Sequence, residues 1–214
     1  MMISPATRGK ISDTVIPRIL HYLKVVQQLE RENKTTISSE ELSKRANISA
    51  CLIRKDLASF GKFGQPGMGY DISNLKSYLL DIIGGREMCN LALVGVGNLG
   101  SALLNYKGFE EEGLKFVAAF DIDEKKVGKI CGNVIVERAD NMKNSIVGKK
   151  NIHIGIIAVP SESAQAVADK FIKAGVFSVL NFAPTVVSVP AEVTLRNVDL
   201  SSELKALRYF SVDK

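Results

Sequence analysis

The chain has 214 residues, of which 46% are hydrophobic and 24% charged, proportions that support a buried core and exclude wholesale disorder. No apolar stretch approaches the roughly 20 residues of a bilayer span, no secretory leader is expected, and Cys51, Cys89 and Cys131 lie too far apart for a zinc site or disulfide framework. A reduced, cytoplasmic protein with neither metal nor membrane partner is expected, and its net charge of +5 is uneven: residues 1–84 carry 12 Lys and Arg against 8 Asp and Glu, which points to an acidic partner for that part.

Ile16, Ile19, Leu20, Leu23, Val26 and Leu29 recur at helical spacing and predict a helix from about Thr14 to Arg31, with Pro17 in its first turn. Ile37-Ser38-Ser39-Glu40-Glu41-Leu42 starts a second helix, with Ser38 and Glu41 as a reciprocal capping box and Ile37 and Leu42 as a hydrophobic staple. Ser49, with Ile48 and Ile53, repeats that grammar after a short turn at Asn47, as in a helix-turn-helix. The third helix gathers Ile53, Leu57 and Phe60 on one side. Cys51, Lys55, Ala58 and Lys62 fall opposite, with Arg54 and Ser59 flanking. Such a face suits a major groove, because small residues permit close approach while Arg and Lys reach phosphates or guanine edges. A plain protein-interaction module has the same helical shape, but the basic face and the local charge excess favour DNA.

Gly61 to Tyr70 holds four glycines and a proline in ten residues, which predicts a tight hairpin with Gln65 near its tip. A hairpin directly after a recognition helix is the wing of a winged helix. Leu75, Leu79 and Ile82 then predict a closing helix that leads to a domain boundary near residue 84.

From there β-branched runs alternate with helical segments, which predicts a parallel sheet with crossovers. Strands are expected at Leu91–Val96, Phe116–Phe120, Val134–Val136, Ile152–Val159 and Val179–Leu180. Helices are expected at Leu99–Asn105, Ser163–Ala174 and Ser201–Phe210. Gly95-Val96-Gly97-Asn98-Leu99-Gly100 is a G-x-G-x-x-G between a strand and a helix. Gly95 makes the sharp turn, Gly97 lets a pyrophosphate approach the backbone, and Gly100 lets the helix pack on the strand. Asp121, which ends a strand 21 residues after Gly100, is where an acidic residue binds adenosine ribose hydroxyls. A carboxylate there repels a 2′-phosphate, so NAD(H) is favoured over NADP(H), although Lys125 and Lys126 are close by.

No catalytic residue is expected. Of two histidines, His153 falls in a predicted buried strand and His21 on the first helix, so a proton donor beside a nicotinamide is lacking. The cofactor reads as a signal rather than a reagent. Two other readings stand beside this one: an NAD-dependent oxidoreductase with an N-terminal interaction domain, and a CoA- or nucleotide-binding subunit of a larger complex.

Ile37–Leu42, Arg54–Gly61, Gly67–Asp71, Leu93–Gly100, Asn105–Phe109, Ala118–Asp121, Ala158–Pro160, Ala164-Gln165, Leu180–Pro184 and Asn197–Leu200 together resemble the family of redox-sensing transcriptional repressors called Rex. The resemblance covers nearly the whole chain. It implies an α/β homodimer with a winged helix-turn-helix at 1–84, a Rossmann-like NAD(H)-binding domain at 85–200, and a C-terminal helix at 201–214 exchanged between subunits. Palindromic operator DNA would be bound when NADH is scarce and released when NADH is bound, NAD⁺ binding more weakly. By position, Gly95–Gly100 and Asp121 would hold the coenzyme, with Val159, Pro160, Asn181, Phe182, Ala183 and Tyr106 toward the nicotinamide. Ser49, Arg54, Lys55, Ser59, Lys62 and Gln65 would face DNA, and Arg18 and Asp199 would meet between domains. The chain departs from the family at Cys51 in the recognition helix and at Gly64-Gln65-Pro66 in the wing, where basic residues are more usual.

Overall fold

The computed structural model of the chain describes residues 14–61, 69–84, 87–149 and 151–211. It divides into two compact units, Met1–Glu87 and Met88–Lys214.

In the first unit the apolar stripe forms α1, Val15–Arg31, which buries Ile19, Tyr22, Leu23, Val25, Val26 and Leu29. β1 (Thr36–Ile37) leads into α2 (Ser39–Ala46), where the Ser38 hydroxyl accepts from the Glu41 N–H at 3.0 Å. The reverse arm of the expected box is replaced: the Glu41 carboxylate pairs with Lys34. Asn47 adopts a left-handed conformation, φ +52°, and ends α2 as Asn and Gly can with little strain. α3 (Ala50–Ala58) follows, with Ser49 as its N-cap. β2 (Tyr70–Asp71) pairs antiparallel with β1, and α4 (Ile72–Ile83) closes the unit against α1. The expected wing is described only at its two ends, so Lys62 and Gln65 lie outside the described residues. One core joins Leu23, Leu42, Ile53, Leu57, Leu75 and Leu79 from all four helices.

The second unit begins with β3 (Cys89–Val94), α5 (Asn98–Asn105), the short α6 (Gly108–Glu111) and β4 (Leu114–Asp121). β5 (Ile130–Cys131) and β6 (Val134–Arg138) form a hairpin, and a 3₁₀ turn precedes α7 (Met142–Lys149). β7 (Ile154–Ile157), α8 (Ser161–Lys173), β8 (Ser178–Asn181), β9 (Thr194–Asn197) and α9 (Leu200–Ser211) complete it. The strand order is β5-β6-β4-β3-β7-β8-β9, parallel throughout except for β5. Without β5 this is the six-stranded order of a dinucleotide-binding fold, whose crevice opens beyond the carboxyl ends of the strands where the chain reverses direction. Here that point lies between β3 and β7.

Leu91, Ala92, Leu93 and Val94 are all buried, because a central parallel strand is covered on both faces. Two core clusters lie on the sheet, one around Phe120, Ile157 and Phe171 and the other around Leu91, Leu104 and Phe116. β7 is shorter than expected, and His153 precedes it. The imidazole is exposed, not in the core: its Nδ1 accepts from the Asn90 N–H at 2.8 Å. Among the described residues no helix is long and apolar enough to cross a membrane, and no three His, Cys, Asp or Glu side chains converge as metal ligands.

Candidate functional site

The carboxyl ends of β3, β4, β7 and β8 are tied into one rim. The Gly95 N–H donates to the Phe120 carbonyl at 2.8 Å, the Ala158 N–H to Val94 at 2.9 Å, and the Phe182 N–H to Ile157 at 2.9 Å. Gly95 has φ +98°, and a Cβ there would come within 2.3 Å of the Ala158 carbonyl oxygen, so the chain turns beside β7 only because this residue lacks a side chain. A Cβ on Gly100 would sit 2.0 Å from the Gly95 carbonyl oxygen and 3.2 Å from Leu93 Cδ2. That is the close helix-on-strand packing expected of the third glycine. A Cβ on Gly97 would meet nothing within 4 Å. Gly97, Asn98 and Leu99 are exposed, and no side chain caps the start of α5. The first N–H groups of that helix therefore face open space, an arrangement suited to phosphate.

Asp121 ends β4 and is 7% exposed. Its Oδ2 accepts from the Val96 N–H at 2.7 Å and from Lys126 Nζ at 3.2 Å, while Oδ1 accepts from the Asp123 N–H at 2.9 Å. Burial pushes its pKa up, but these donors outweigh burial and hold the carboxyl below the usual range. A carboxylate oxygen offers two acceptor positions. Those of Oδ2 are filled by Val96 and Lys126, and Oδ1 takes a single donor, Asp123. The same side chain thus braces the glycine turn.

Val159 and Pro160 follow β7 after Ala158, and Pro160 is the N-cap of α8. Asn181, Phe182 and Ala183 follow from the end of β8 beside them. Asn181 was expected to line the cleft, yet its side chain is directed into the protein and is 1% exposed. Its Nδ2 donates to Ala183 O at 3.1 Å, Thr185 O at 3.2 Å and Asn197 Oδ1 at 2.9 Å, and its Oδ1 accepts from the Ala183 N–H at 3.0 Å. It fixes the loop rather than presenting a polar group. Tyr106 is not gathered with these residues either. It caps the far end of α5, about 12 Å of helix from the glycine turn. Its ring meets Phe109 edge-on at a centroid distance of 5.1 Å, beside a cavity of about 150 Å³ lined by Phe109, Leu114, Phe116 and Gly132.

In the first unit α3 presents Cys51, Arg54, Lys55, Ala58 and Ser59 to solvent, while Ile53, Asp56 and Leu57 face inward. The Ser49 hydroxyl accepts from the Leu52 N–H at 3.3 Å and the Ser59 hydroxyl donates to the Asp56 carbonyl at 2.6 Å. Arg54 reaches back to α2, donating to Ser39 Oγ at 2.7 Å and Glu40 Oε1 at 3.1 Å. An exposed pair of this kind is weak in water and screened by salt. Arg18 forks onto Asp56 within its own unit, and the Asp199 carboxylate caps α9, its pKa lowered to about 2 by the Ser201 and Ser202 hydroxyls and N–H groups.

Sequence reasoning noted Lys126 but not its contact with Asp121, and it passed over Asp56 and the Asn181–Asn197 pair. Asp56 was accessible to it, since positions 53, 56, 57 and 60 share a helical face. The asparagine pair was not, because it depends on the register that sets Asn181 opposite Asn197.

Residues 86–185 match the family described as "CoA binding domain", and residues 10–58 the family described as "Putative DNA-binding protein N-terminus". The redox-sensing transcriptional repressor Rex of Pelotomaculum thermopropionicum is 41% identical over 205 residues, 96% of each chain. That of Carboxydothermus hydrogenoformans is 42% identical over 94% of this chain and 96% of its own. The crystal structure of RSP with β-NAD⁺ and operator DNA superposes with a TM-score of 0.89 at 36% identity, covering 93% of this chain and 91% of that one. RSP with β-NADH gives 0.86 at 34%, covering 94% and 93%. The chain belongs to the Rex family of redox-sensing transcriptional repressors.

Proposed function

We propose that this chain is a repressor that binds palindromic operator DNA through α3 and the segment after it and releases it when NADH occupies the cleft beyond β3 and β7. Repression then follows the NADH/NAD⁺ ratio. The carrying observation is that one chain joins an outward basic helix to a glycine turn braced by Asp121, and that its relative RSP was crystallised with operator DNA and β-NAD⁺ and again with β-NADH.

The cleft suits a dinucleotide. Open space at Gly97 and the uncapped start of α5 fit a pyrophosphate, and Oδ1 of Asp121 fits one ribose hydroxyl. NADH and NAD⁺ differ at the nicotinamide by one charge and by ring planarity. The glycine turn and Asp121 therefore bind both alike. Discrimination falls to Val159, Pro160 and Phe182, with Asn181 fixing their loop. No step needs a proton donor, so the coenzyme acts as a ligand and not as a reactant.

α9 is exposed along its whole length, with Leu200, Leu204, Leu207, Tyr209 and Phe210 between 62% and 73% exposed. Spacings of four and three put the leucines on one face, which calls for a partner. Exchange of this helix in a cytoplasmic homodimer would cover it. It would also bring Asp199 toward Arg18, so that closing the dimer alters the spacing of two recognition helices matched to half-sites about 34–36 Å apart. A ligand shifts such an equilibrium only by its different affinity for the two states.

The test is a gel-shift titration of the chain on a palindromic duplex, with NADH and NAD⁺ added separately. NADH should release the duplex at far lower concentration than NAD⁺. Equal action of the two, or no duplex binding at all, refutes the reading.

A further inference from the structure

The recognition helix carries one charged residue on its inward face. Asp56 is 3% exposed, between Ile53 and Leu57. Arg18 Nη2 and Nε donate to its Oδ1 and Oδ2, both at 2.7 Å, and the Tyr22 hydroxyl donates to Oδ2 at 2.8 Å. Both donors come from α1, one turn apart, and Tyr22 is wholly buried. Arg18 Nη1 donates to the Thr14 carbonyl at 2.9 Å, so the guanidinium is itself held in place. Burial opposes the charge on Asp56, but the Arg18 and Tyr22 hydrogen bonds outweigh it and keep the carboxyl below its usual range.

Stability alone does not account for this cluster. Dehydrating two charges largely offsets their attraction, and apolar side chains of the same volume hold a core at least as well. What the fork supplies is direction. The contacts of Ile53 and Leu57 are apolar and tolerate a small roll of the helix, whereas a two-pronged Arg–carboxylate pair does not. A roll of about 15° carries side-chain atoms about 6 Å from the helix axis through about 1.5 Å, half a hydrogen-bond length. Arg54 and Lys55 directly precede Asp56, so fixing its azimuth fixes theirs.

We infer that Asp56, clamped by Arg18 and Tyr22, is a positioning residue for sequence reading: it sets the rotation of α3 and so supplies specificity for the operator rather than general adhesion to DNA. This rests on the DNA-binding reading above. Long basic side chains can follow a phosphate through a small roll, but a base-edge hydrogen bond is lost.

The test uses the full chain, well below its unfolding temperature, and two variants, Asp56→Asn and Tyr22→Phe. The probes are a palindromic duplex recovered by the wild type from a randomised pool and a scrambled duplex of equal length at the same salt. Asp56→Asn should lower the ratio of palindrome to scrambled affinity by about tenfold or more, within the usual range for one lost base contact. Scrambled-duplex binding and the salt slope should stay as in the wild type. Tyr22→Phe should lower the ratio in the same direction by about threefold. A folded Asp56→Asn chain with an undiminished ratio overturns the proposal. If that variant does not fold, an unchanged ratio in Tyr22→Phe overturns it. A wild-type chain that recovers no palindrome refutes the DNA-binding reading itself, before any variant is compared.

Discussion

Asp121→Ala removes three contacts at once: the acceptor for the Val96 N–H at 2.7 Å, that for the Asp123 N–H at 2.9 Å, and the partner of Lys126 at 3.2 Å. Val96 is buried, so its N–H loses its partner where water cannot readily replace it. That loss costs about 1–3 kcal/mol, and the C-terminal unit should unfold more easily by this amount. The variant also lacks Oδ1 as an acceptor for the ribose hydroxyl. A hydrogen bond to a charged group contributes about 1.5–3 kcal/mol, so NADH affinity should fall about ten- to hundredfold. Asp121→Asn keeps an oxygen for Val96 and loses the charge. It should therefore recover much of the stability and little of the affinity. Calorimetric titration with NADH, thermal unfolding and operator binding without NADH separate these effects, and operator affinity should stay within about twofold of the wild type. NADH binding by Asp121→Ala within that same margin would refute the assignment of the carboxylate to the ribose.

Lys55→Ala should weaken palindrome and scrambled duplex alike and flatten the salt dependence of binding by about one, as loss of one phosphate contact does; an unchanged slope would mean that α3 is oriented differently. Asn181→Ala strands the buried Ala183 N–H, so the unfolding free energy should fall by about 1–3 kcal/mol, with NADH affinity reduced and operator affinity kept, as read by thermal unfolding and titration. The Asp56 and Asp121 carboxyls both titrate below their unfolded values, so their contribution to stability is present above about pH 4 and is lost as pH falls through the lower folded values. Thermal stability should decline progressively below about pH 4, and Asp56→Asn should remove part of that slope.

The amino-acid order by itself determined α1 to within a residue, both N-caps of the helix-turn-helix, the alternation of strands and helices after residue 84, and the glycine turn with Asp121 at the end of its strand. These features depend on neighbours a few residues apart, where capping geometry, helical periodicity and the lack of a Cβ act directly. The tertiary structure alone decided which way polar side chains turned once more than one partner was in reach. Glu41 went to Lys34 instead of closing its capping box, and Asn181 turned inward to Asn197. On the inward face of α3 the tertiary structure brought Arg18 and Tyr22 to Asp56. Each of these choices joins residues 7 to 38 positions apart or follows from how an element is placed, so it depends on register and packing that local sequence does not encode.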